Sequence, residues 1–109
     1  MTKDPEELRE DFLRPHPYLG YGRDQLALYL MSREAHEIAE SQLRRAIWVN
    51  PYEKAFKIHL AECLCRTHRY AEARELIVKC LEQDPDNVDC RTLLEKIEER
   101  LAAAQPKAI

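Results

Sequence analysis

The sequence predicts an all-α fold, and three observations predict it. Of 109 residues only two are glycine and six proline, while Ala, Leu, Glu and Arg are plentiful, a composition that favours helices over sheets. Apolar residues recur at i, i+3, i+4 and i+7, the spacing of one buried helical stripe. Pro17, Pro51 and Pro85 stand at equal intervals of 34 residues, which marks a repeated unit. With 45% hydrophobic and 34% charged residues, the chain suffices for one domain with a modest core.

Taken in order, the elements begin with Asp4-Pro5-Glu6-Glu7, a helix start that predicts a helix over 5–14 with Leu8 and Phe12 turned to the core. A second helix is expected over 18–33. A third, over 36–48, follows from Ala35, Ile38, Ala39, Gln42, Leu43 and Ala46, which share one face. In Asn50-Pro51-Tyr52-Glu53 the Asn reads as an N-cap, the Pro as a first helical residue and Glu53 as the partner of a capping box, predicting a helix over 52–66. The next, over 70–82, presents Ala73, Leu76, Ile77, Cys80 and Leu81 on one side. Asp84-Pro85 repeats the start signal and predicts a last helix over 86–103, with Cys90, Leu94, Ile97 and Leu101 on its apolar face. The expected organisation is an N-terminal helix and linker over 1–17, a repeat domain over 18–104 and a flexible tail over 105–109. Within the domain fall repeats at about 20–53 and 54–87 and a capping helix over 88–104.

Aligned on their prolines, the two stretches match at core positions. Leu26-Ala27 falls on Leu60-Ala61, Ala39 on Ala73, Leu43 on Ile77 and Ala46 on Cys80. Small residues recur where two helices must approach closely, and large ones where a gap must be filled. On Leu26, Ala27, Ala39, Leu43, Ala46 and Pro51, and on Leu60, Ala61, Tyr70, Ala73, Ile77, Cys80 and Pro85, the chain resembles the tetratricopeptide repeat, a helix-turn-helix unit of this period. Two departures stand out: Arg23 and Lys57 replace the family's usual Trp, and Glu34 and His68 replace the Gly of the inner turn. The resemblance implies a right-handed α-α superhelix of two full repeats, with the N-terminal helix as a degraded earlier unit and the C-terminal helix as a cap.

Several function classes are excluded. A net charge of −3 with interspersed signs provides no basic patch for nucleic acid or anionic membrane. The acidic N-terminus lacks the apolar core of a signal peptide, and no apolar run approaches the ~20 residues that span a bilayer, so a soluble cytoplasmic protein is expected. Cys63 and Cys65 lie ~200° apart around a helix axis and cannot share one metal ion, and His68 falls in a turn with no second ligand pair after it. Cys63, Cys80 and Cys90 read as small core hydrophobes with reduced thiols. His16, His36, His59 and His68 are scattered with no nucleophile beside them, so neither catalysis nor a cofactor or metal is expected.

A protein-binding surface remains. In tetratricopeptide arrays the first helices of the units line the concave face, and the resemblance places Tyr21, Asp24, Leu28, Met31 and Ser32 there in one unit. Ala55, Ile58, Glu62, Cys65 and Arg66 follow in the next, then Asp89, Thr92, Lys96 and Glu99 on the last helix. Tyr21, Leu28 and Met31 are either adaptable anchors for a peptide or a strip covered by the N-terminal helix. The family's clamp for chaperone tails needs Lys, Asn and Arg donors, but the corresponding places hold Asp24, Leu28, His59, Asp89 and Leu93, which disfavours that ligand. By fold analogy, small repeat chaperones of bacterial secretion systems suit the Tyr-Leu-Met end better. The reading is a non-enzymatic adaptor or chaperone-like module that takes a peptide or helix segment of another protein. Self-assembly, with Trp48 as a natural contact, is the competing class, and a thiol-based redox or metal sensor a distant third.

Overall fold

The computed structural model describes residue 5 and residues 16–104. The expected 5–14 helix with Leu8 and Phe12, Pro5 apart, and the 105–109 tail lie outside the described residues. Five helices follow one another: α1 (Tyr21–Ser32), α2 (His36–Val49), α3 (Lys54–Arg66), α4 (Tyr70–Gln83) and α5 (Val88–Ala104), with no strand among the described residues. Each packs on the next. In addition α1 touches α3 and α3 touches α5, so the odd-numbered helices stand side by side as one wall.

The core repeats with the sequence. Ala27 and Ala61, Ala39 and Ala73, Leu43 and Ile77, and Ala46 and Cys80 are all buried, at 2% exposure or less. Small side chains let paired helices approach, and Leu43, Leu64 and Ile77 fill the space between them. One matched pair departs from expectation: Leu60 is buried but Leu26 is 45% exposed. The same contrast holds one turn on, where Cys63 is buried and donates from Sγ to the His36 carbonyl at 3.2 Å while its register mate Tyr29 is exposed. These positions pack a unit onto the one before it, and no described helix precedes α1. Ile38, expected on the buried face of α2, is likewise 57% exposed.

The helix starts also differ from expectation. Asn50 and Asp84 are not N-caps but C-caps of α2 and α4, with nearly identical backbone angles. Pro51 and Pro85 follow them because proline cannot continue a helix, and α3 and α5 begin three residues later than each proline. The N-caps are Glu53, whose carboxylate accepts from the Ala55 amide at 3.1 Å, and Asn87, whose Oδ1 accepts from the Cys90 amide at 3.0 Å. α1 starts at Tyr21 rather than residue 18, since Gly20 is left-handed at φ 96. A Cβ there would meet the Phe56 ring at 2.8 Å and the Ala46 carbonyl oxygen at 3.1 Å, so this crossing of the chain over α2 and α3 requires glycine. Asn50, wholly buried, anchors the same crossing: its Nδ2 donates to the carbonyls of Pro17 and Leu19, each at 3.0 Å.

The inner turns keep the left-handed geometry without glycine. In the first, the amide of Ala35 donates to the Leu30 carbonyl and that of Glu34 to the Met31 carbonyl; in the second, Arg69 donates to Leu64 and His68 to Cys65. Both are Schellman closures, so each unit turns back on itself through the same hydrogen bonds. Arg69 then ties the units together, donating to Glu40 at 2.5 Å and to Glu72 at 2.7 Å.

Candidate functional site: the groove between α3 and α5

The wall of odd-numbered helices opens into two adjoining hollows. The larger, about 400 Å³, is lined by Ala55, Ile58, His59 and Glu62 of α3 and by Asp89, Thr92, Leu93 and Lys96 of α5. The smaller, about 210 Å³, is lined by Cys65, Arg66, Tyr70, Leu93, Lys96, Ile97 and Arg100. Leu93 and Lys96 border both, which makes the hollows one continuous groove. The repeat period produces it: Ala55 and Asp89, Ile58 and Thr92, Glu62 and Lys96, and Arg66 and Arg100 are register mates on two parallel helices.

Of the residues expected on the concave face, the structure brings Ile58, Glu62, Thr92 and Lys96 together in the larger hollow and Cys65 and Arg66 in the smaller. Those of α1 are placed otherwise. Met31 is 3% exposed and sits in the core, a correction to its expected groove position: its long unbranched side chain lies among buried residues of the hydrophobic cluster. Asp24 is 8% exposed, with Oδ1 at 2.6 Å from His59 Nδ1, so it acts as a brace behind the groove wall and is not free to meet a ligand. Tyr21 is half-exposed at the far end, where its hydroxyl donates to Glu53 Oε2 at 2.8 Å and its ring packs edge-on against Phe56. The hydrogen bond to Glu53 is the main reason its phenol is held above the usual range. Leu28 and Ser32 are exposed but line neither hollow.

Tyr70 and Arg100 border the groove, and neither was placed on the concave face from the sequence. Arg100 lies one period after Arg66, so extending the repeat register to the last helix reveals it. Among the described residues, Glu62, Asp89, Lys96, Arg66 and Arg100 have no ion-pair partner within 4.0 Å, whereas Arg44 pairs with Glu40 on α2, Arg69 with Glu40 and Glu72, and Arg74 of α4 with Glu98 of α5. The groove thus presents several charged groups with unused hydrogen-bonding capacity beside an apolar floor of Ile58 and Leu93.

Thiol chemistry is held down at this site and behind it. Burial, followed by Glu62, raises the Cys65 thiol, and burial raises those of Cys63 and Cys80. Cys90 is pushed up to about 11, first by burial and then by Cys80 beside it. All four cysteines are free, and no group of three or more His, Cys, Asp or Glu among the described residues has metal-ligating geometry. No helix among the described residues is long and apolar enough to cross a membrane.

A family model described as tetratricopeptide repeat matches residues 30–97, more than half of the chain, and the protein belongs to that family. No curated protein and no solved structure matches it significantly. Tetratricopeptide repeats are in general non-catalytic, and the repeat suggests a protein-protein interaction module.

Proposed function

From membership of the tetratricopeptide-repeat family and the shape of this groove, we propose that the protein is a non-enzymatic adaptor that holds a peptide segment of another protein between α3 and α5. One observation carries the reading: Glu62, Asp89, Lys96, Arg66 and Arg100, none of them in an ion pair among the described residues, stand around an apolar floor of Ile58 and Leu93. Charged groups without partners beside an apolar floor are available to a ligand that brings complementary charges and an apolar side chain. Ile58, Glu62, Cys65, Arg66, Thr92 and Lys96 are the residues proposed to meet the ligand, and a cytoplasmic setting suits the raised, reduced thiols.

The test is a photo-crosslinking amino acid at Thr92, which faces the larger hollow, combined with Ile58→Arg. The crosslink should trap a peptide of a partner, and the arginine should abolish the trap while the helical circular dichroism and melting curve stay near wild type. A crosslink indifferent to Ile58→Arg would move the binding site elsewhere.

A second reading, association with copies of this chain, is favoured by Trp48, 54% exposed on α2 with Ile38, 57% exposed, on the same helix. Trp48 borders a further hollow with Arg44 and Arg45. Light scattering across a concentration series decides it: a dimer abolished by Trp48→Ala supports self-assembly, and a monomer throughout removes it.

A further inference from the structure

The two hollows of the groove carry opposite charge. Glu62 and Asp89 outweigh Lys96 in the larger, while Arg66 and Arg100 join the same Lys96 around the smaller, which has no carboxylate in its lining. Helix-dipole compensation explains part of this, since Asp89 lies in the first turn of α5 and Arg66 in the last turn of α3. It explains neither Glu62, in the body of α3, nor Arg100, which stands before the last turn of α5. A groove that runs from acid to base recognises a ligand of complementary polarity and repels the reverse one.

Spacing sets the ligand's scale. Along α5, Asp89 and Arg100 are separated by about 16 Å at about 1.5 Å rise per residue. An extended peptide covers that length in about five residues at roughly 3.3 Å each. We propose that the groove selects a dipolar peptide segment, in which a Lys or Arg sits at Asp89 within the field of Glu62, and an Asp or Glu about five residues away is held by Arg66 and Arg100. Apolar side chains between the two charges rest on Ile58 and Leu93. The inference rests on the peptide-groove reading and deepens it: the partner's segment is recognised by charge order as well as by fit.

Fluorescein-labelled decapeptides test it by anisotropy. One carries Lys and Asp five positions apart with Leu and Ala between them, one carries the same charges in reversed order, and one carries Gln and Asn in their place. One of the two dipolar orders should bind at least ~10-fold tighter than the neutral peptide. Glu62→Gln with Asp89→Asn, and separately Arg66→Gln with Arg100→Gln, should remove that advantage while keeping a wild-type melting curve. Equal binding of all three peptides, no binding by any, or charge variants that weaken every peptide alike would overturn the proposal. Ile58→Arg separates the two levels: if it abolishes binding while charge order proves irrelevant, the dipolar inference fails alone, and if binding survives it, the groove reading fails with it.

Discussion

Glu34 and His68, one repeat period apart, both hold φ at 63. Each is the residue past the C-cap where its unit folds back, a place that favours glycine because a Cβ crowds the following carbonyl in the left-handed region. The turn hydrogen bonds force both residues there, so the strain is carried by the fold and not by any ligand contact in evidence. Glu34→Gly and His68→Gly should each stabilise the protein by about 0.5–1 kcal/mol, the relief of strain being partly offset by the greater freedom of glycine in the unfolded chain. A chemical-denaturation midpoint that falls with either substitution would show the turns to be relaxed as they are.

Asn50, at the C-cap of α2, makes three hydrogen bonds through its buried side chain. Besides the two carbonyls it serves through Nδ2, its Oδ1 accepts from the Tyr52 amide at 3.3 Å. Asn50→Ala should cost about 2–3 kcal/mol, because it strands the carbonyls of Pro17 and Leu19 beside a new void. Asn50→Asp keeps the acceptor for Tyr52 but sets a carboxylate against two carbonyl oxygens, so it should be at least as damaging near neutral pH. Its cost should shrink as pH falls and the carboxyl protonates, and denaturation midpoints at two pH values measure that difference.

The dual use of Asn and Asp also limits what the sequence reveals. The 34-residue period and the small-large alternation at Ala27, Ala39, Leu43 and Ala46 are legible because close helix approach leaves few residue types that fit. Asn50-Pro51 and Asp84-Pro85 are ambiguous, since a short polar residue before proline serves a helix end as readily as a helix start. The exposure of Leu26 and Tyr29 is illegible for another reason: burial at those positions depends on a neighbouring unit, not on the helix that carries them. In the groove, the register of α3 and α5 was readable from the period. The burial of Met31 was not, because a flexible side chain one turn from Leu28 can lean to either side of the same stripe.

That difference between Leu28 and Met31 is measurable. Met31→Ser removes a core side chain and inserts a hydroxyl, and should cost about 3 kcal/mol. Leu28→Ser, at 39% exposure, should change stability by less than about 1 kcal/mol. Equal midpoints for the two variants would place Met31 at the surface and reopen the α1 end of the concave wall.

The packed thiols of Cys80 and Cys90 give the protein an alkaline sensitivity of predictable sign. Cys90 is wholly buried where α5 meets α4, and its pKa stands at about 11 against an unfolded value near 9. The folded state therefore holds the proton over a range in which the unfolded state has released it. Stability from this group is complete below pH ~9 and is lost progressively as pH rises toward ~11, by up to about 2 kcal/mol. Wild type should thus show a falling denaturation midpoint over that window, beyond the loss common to any protein with titrating lysines. The double variant Cys80→Ala, Cys90→Ala should start lower at neutral pH, from two small cavities, yet decline less steeply. The same burial predicts slow alkylation of both thiols in the native protein and fast alkylation in denaturant. A pH slope identical in wild type and the double variant would show that these cysteines pack only as small apolar side chains, with no titration linked to folding.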